Sequence, residues 1–165
     1  GIKSLGWLLD QQTAPGGHLS LIGDSEWLVR NGERSRFDQR PCAAMHLAEA
    51  CAEAFRATAD RPWLEGARRC VEWFLGRNDL NAPVYDFRTA GCGDSLQMHG
   101  PNENQGAEAT LAWLVTLMTM SELLGEQVLV EQTADRRRTA PGDAESPDEA
   151  AEQQQPAGST ADEEN

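Results

Sequence analysis

The chain is short of positive charge. Its 165 residues hold 14 lysines and arginines against 27 acidic residues, a net of −13. Phosphate binding needs a basic surface, so this balance argues against nucleic acid as a partner. Lysine itself is nearly missing. One Lys stands beside thirteen Arg, a bias of GC-rich coding DNA rather than of function. No C-x-x-C pair occurs among Cys42, Cys51, Cys70 and Cys92, which argues against a zinc site. His18, His46 and His99 have no metal-ligand spacing, so neither a metal nor a cofactor is expected. No stretch of about 18 apolar residues is seen, and no membrane span is expected. Phosphate loops and dinucleotide fingerprints are also missing. Cys51 and Cys70 fall on apolar faces of predicted helices, where a free thiol packs as a small hydrophobe. Reduced cysteines favour a cytoplasmic location.

What remains is a pattern of helices. Residues 4–12 read as the end of a helix, with Leu5, Leu8 and Leu9 on one face, stopped by Ala14-Pro15-Gly16-Gly17. A loop follows to residue 37, with room for an extended piece at 19–22. Ala44, Leu47, Ala48, Cys51 and Phe55 repeat at close to 3.6 residues and predict a helix over 38–58. Asp60 is placed to cap the next helix, with Pro62 in its first turn. That helix carries Leu64, Ala67, Val71 and Phe74 on one face and ends near Gly76. The short connection predicts an antiparallel hairpin. Residues 78–105 form a long polar loop, and loops of that length are usually functional or disordered. Residues 106–124 predict a largely buried helix ended by Gly125. Residues 131–165 carry a net charge of −7 and are rich in Pro, Gln, Asp and Glu. The expectation is an all-α domain over 1–125 and a disordered acidic tail over 126–165. The first residue is not Met and already reads as helix, so a fragment lacking its N-terminal part is expected.

Two stretches draw attention for chemistry. Gly93-Asp94-Ser95-Leu96 spells a signature of serine hydrolases. That chemistry needs a buried strand before the serine and a histidine within reach. Thr89-Ala90-Gly91-Cys92 does not read as a strand, and His99 has no acid placed to orient it. A chance four-letter match is the better reading. Asn102-Glu103-Asn104-Gln105, with Glu108 following, is a denser signal. Its structural explanation is a capping box, Asn102 capping and Gln105 reaching back, with Glu108 stabilised by the helix dipole. Its functional explanation is a saccharide site, which needs carboxylates and amides for hydroxyl groups and an aromatic platform. Phe37-Asp38-Gln39-Arg40 is similar in kind. Asp38 could cap its helix, or it could face Glu108 across one pocket, since alternate helices of a hairpin array start at the same end. Two carboxylates across a pocket suit glycosidic-bond chemistry. Asp38 and Glu108 are the candidate catalytic pair. Trp27, Arg36, Gln39, Tyr85, Asp94, Asn102, Glu103, Asn104 and Gln105 are the candidate substrate-binding residues, with Trp27 and Tyr85 as platforms. Trp63, Trp73 and Trp113 read as core.

Several motifs in order carry a resemblance: F-D-Q-x-P at 37–41, W-F-x-G-R-N-D at 73–79, and G-C-x-D-x-L followed by N-x-N-Q-G-A-E. Over residues 4–124 the chain resembles the C-terminal part of bacterial carbohydrate-active proteins of the six-hairpin glycosidase-like superfamily, commonly labelled glycosyltransferases. The resemblance implies a partial (α/α)6 toroid, a carbohydrate ligand, and missing N-terminal hairpins of the same protein as the partner that covers its apolar faces. Arg40 stands where that pattern usually has Gln, Ser95 where it has Gly, and Ala109 where it has Ser. The expected activity is glycoside processing or glycosyl transfer. The alternatives are a non-catalytic glycan-binding module of a glycosyltransferase, or a helical-repeat scaffold.

Overall fold

The computed structural model describes residues 1–26, 28, 29 and 32–139. The chain divides into two units, Gly1–Val130 and Glu131–Asn165. Of the second unit, the described residues are the end of the last helix. The predicted platform Trp27 and the stretch 140–165 of the predicted disordered tail lie outside the described residues.

Four helices and four short strands make up the described part. They are α1 (Ile2–Gln11), α2 (Pro41–Thr58), α3 (Arg61–Phe74), β1 (Tyr85–Asp86), β2 (Gly91–Cys92), β3 (Leu96–Gln97), β4 (Gly100–Pro101) and α4 (Ala107–Thr139). The expectation of an all-α, partial (α/α)6 toroid is therefore corrected. The strands form two separate two-stranded antiparallel sheets, β1–β2 and β3–β4, and four helices are too few for a toroid of hairpins. Two-residue strands are too short to show alternation in a sequence. The structure pairs Tyr85 with Cys92 and Asp86 with Gly91, and Leu96 with Pro101 and Gln97 with Gly100.

The helices follow their apolar stripes. Along α2, Ala44, Leu47, Ala48, Cys51, Ala52 and Phe55 are buried. Pro41 starts it at a position where a missing N–H costs nothing. Ala59 ends it in the left-handed region, φ 56°, its N–H reaching Phe55 O. Helix α3 follows at once and buries Trp63, Leu64, Ala67, Cys70, Trp73 and Phe74 against the same core. Gly66 is where α1, α2 and α3 meet. A Cβ there would lie 2.9 Å from Cys51 Sγ and 3.0 Å from Leu9 Cδ2. Cys51, Cys70 and Cys92 are fully buried. Burial pushes the Cys51 thiol up to about 11 and Cys92 to about 12.

Other local expectations shift. Helix α2 starts at Pro41 rather than at Asp38, which instead has φ 60°. Asp60 precedes α3, but its side chain makes no capping bond. Gly125 does not end α4, which runs on to Thr139. Its inner face places Ala109, Ala112, Trp113, Met120 and Leu123 in the core. Within it, Ala107–Leu129 has a mean hydropathy of 1.2 and is 33% buried, long and apolar enough to cross a membrane by length and composition.

Candidate functional site

The long connections fold onto one end of the α2 and α4 helices, and one carboxylate organises them. The Asp79 side chain is 4% exposed. Ser20 Oγ donates to it at 2.5 Å and Gln39 Nε2 at 2.6 Å. Arg36 Nε approaches at 3.3 Å and His18 Nε2 at 3.5 Å. Burial alone would raise its pKa, but the bonds from Ser20, Gln39 and His18 and the charge of Arg36 outweigh it, and the net direction is downward. Gln39 is fully buried. Its Oε1 accepts from Trp73 Nε1 at 2.8 Å and Leu21 N at 3.2 Å, and its Nε2 also donates to Arg36 O at 2.7 Å. Its backbone bridges to Leu96. All four hydrogen-bonding positions of the amide are occupied by protein. Gln39 and Arg36, expected to bind substrate, brace Asp79 and the loops around it. Ser20 is buried and its hydroxyl donates straight to the carboxylate, so this Ser–Asp–His trio lacks the histidine-activated serine of a hydrolase.

Three adjoining clefts lie outside this knot. The first, about 440 Å³, is lined by Asp24, Ser25, Asp38, Arg40, Asp94, Ser95, Gln97 and Asn102. Asp38 is half-buried and accepts from Ser25 Oγ at 3.3 Å. Arg40 pairs with Asp24. The second, about 190 Å³, shares Arg40 and Asp94 and adds Cys42 and Glu108 at the first turns of α2 and α4. Burial raises the Cys42 pKa first, and the neighbouring Glu108 carboxylate raises it further. The third, about 430 Å³, shares Asn102 with the first and holds Tyr85, Asp86, Phe87, Arg88, Glu103 and Gln105. Phe87 is 69% exposed. It sits edge-on to Tyr85 at 4.9 Å, and Tyr85 stacks on Trp113 at 4.9 Å and 30°. Hydrogen bonds from the Arg88 backbone and side chain hold the Asp86 carboxyl down at about 2.

The N-terminus of α4 is served by Asp94 rather than by Asn102. Asp94 Oδ1 accepts from Gly106 N at 2.7 Å, and its other oxygen takes the Asn104 amide. A Cβ on Gly106 would lie 2.7 Å from that carboxylate, which explains the glycine. Asn102 Oδ1 instead accepts from Asn104 N at 2.8 Å. Gln105 Oε1 accepts from Thr89 Oγ1 at 2.7 Å, and its amide lies 3.3 Å from Asp86. The capping box is thereby corrected.

The expected residues thus separate. Asp38, Asp94 and Asn102 share one cleft, and Glu108 faces the next with Asp94. Tyr85, Asn102, Glu103 and Gln105 share the third. Asn104 orients Asp94. Ser95 lines the first cleft, preceded by the short strand β2, a strand the sequence does not reveal; His99 is exposed at the β3–β4 turn. The sequence singles out Tyr85 but not Phe87, although a second aromatic two residues along in a polar loop is a readable signal. Among the described residues no group of three or more His, Cys, Asp or Glu is arranged to hold a metal ion. No family model, curated protein or solved structure matches the chain.

Proposed function

We propose that the chain binds carbohydrate, with Asp38 and Glu108 as the acid–base pair of a glycoside-processing or glycosyl-transfer reaction. The observation that carries this reading is the continuity of the three clefts. Neighbouring clefts share the lining residues Arg40, Asp94 and Asn102, and together they hold carboxylates, amides and an exposed aromatic ring. A pyranose ring offers an apolar C–H face to an aromatic and hydroxyl groups to carboxylates and amides. Phe87 on Tyr85 suits the first, and Asn102, Glu103 and Asp94 suit the second. The motif resemblance to carbohydrate-active proteins supports the same substrate class. Glycosidic chemistry asks for a proton donor and a base or nucleophile on opposite sides of the bond.

A second reading is a non-catalytic glycan-binding module. Glu108 is exposed to water, whereas the acid of glycosidic cleavage is usually tuned by burial. A panel of oligosaccharides and activated sugars, followed by NMR titration and by turnover, separates the two. Under the first reading Asp38→Asn and Glu108→Gln each reduce turnover roughly 100-fold while binding persists. Binding without turnover supports the module, and no binding by any sugar removes both.

A further inference from the structure

The outer face of α4 is apolar and open. Leu111, Leu114, Leu117, Met118, Leu124 and Val128 are each 44–62% exposed. At 100° per residue they fall on one side of the helix, opposite the buried Ala112, Thr116 and Leu123. Ser121 and Gly125 lie within the same stripe, and a Cβ on Gly125 would meet nothing within 4 Å. The stripe spans about 25 Å.

Its order is nearly symmetric about Ser121. Leu114 and Val128 stand seven residues to either side, Met118 and Leu124 three, and Leu117 and Gly125 four. An antiparallel copy crossing at Ser121 therefore sets Leu114 against Val128 and Met118 against Leu124. It lays Leu117 into the open space at Gly125. Small residues at the crossing let two backbones approach closely. We propose that this face is the interface of a two-fold symmetric dimer of the chain, with α4 packed antiparallel on its own copy.

Two further observations favour a second copy. The six side chains and their surroundings offer roughly 600 Å² per copy, about 1,200 Å² in total, which reaches the range of stable specific interfaces. The acidic residues on the flank of the stripe are already paired. Arg56 Nε donates to both Glu126 oxygens at 3.0 and 3.1 Å, and its Nη2 reaches Glu122 at 3.4 Å. An isologous pairing brings like charges together across its axis, and Arg56 lessens that repulsion. A bilayer surface is the poorer occupant, because a net charge of −13 is repelled by anionic lipid.

The test is sedimentation of the full chain over about 1–100 µM, with flotation on phosphatidylcholine and phosphatidylglycerol vesicles. A concentration-dependent dimer that does not float is expected. Leu117→Glu with Leu124→Glu abolishes it with unchanged helical circular dichroism. In a Cys42→Ser background the remaining thiols are buried, so Ser121→Cys joins two chains through a short thiol crosslinker, and Arg68→Cys on α3 does not. A monomer throughout, a monomer that floats with vesicles, a dimer indifferent to the glutamates, or no crosslink at Ser121 each overturns the proposal.

Discussion

The knot around Asp79 and the surface around Asp38 and Asp94 contain the same kinds of side chain and use them in opposite ways. At Asp79 every neighbouring polar group points inward. Ser20, Gln39, Arg36 and His18 all converge on one carboxylate. At Asp38 one hydroxyl is near, at 3.3 Å, and the rest of the group faces a cleft. An acid or amide is therefore defined by where its hydrogen-bonding capacity goes. A buried group with all positions filled holds the loops, and a half-buried group with open positions is free for a ligand.

The sharpest way to break this contrast is Asp79→Ala. It leaves two buried donors, Ser20 Oγ and Gln39 Nε2, without their acceptor and should cost about 3 kcal/mol, read by urea denaturation. The carboxylate also predicts a pH dependence. Its pKa in the fold lies below the unfolded value, so its stabilisation is complete above the unfolded value of about 4 and is lost as pH falls through the lower folded value. Asp79→Asn should flatten that acid limb of the stability curve. Asp94→Ala is intermediate. It removes the acceptor for Gly106 N at the start of α4 and should cost about 1 kcal/mol. Phe87→Ala should have the smallest effect on stability, within about 0.5 kcal/mol, since the ring is largely exposed. Yet it should weaken saccharide affinity about tenfold, measured by titration calorimetry. Equal stability losses at Asp79 and Phe87 would erase the distinction between the two regions.

Helix positions were legible because burial imposes a 3.6-residue period. The stripes on α2 and α3 and the burial of Trp63, Trp73 and Trp113 follow directly. The end of α4 is not legible at Gly125, because one exposed glycine costs about 1 kcal/mol, too little to stop a helix followed largely by good helix formers. The cap of α4 is hidden for another reason. Asp94 lies 12 residues before Gly106, and no local motif encodes a partner that far away. Within the site, the sequence named the right residue types but could not sort them. Gln39 and Asn102 look alike as hydroxyl binders, and only the fold shows that Trp73 and Leu21 already occupy the first.

The aromatic series from Phe74 through Trp113 and Tyr85 to Phe87 runs from the core to the rim of the third cleft. Tyr85 is the single tyrosine of the chain, and its ring lies against an indole. Light absorbed by that phenol has an indole one ring contact away to receive the excitation, so Tyr85 emission is expected to be quenched in the folded chain.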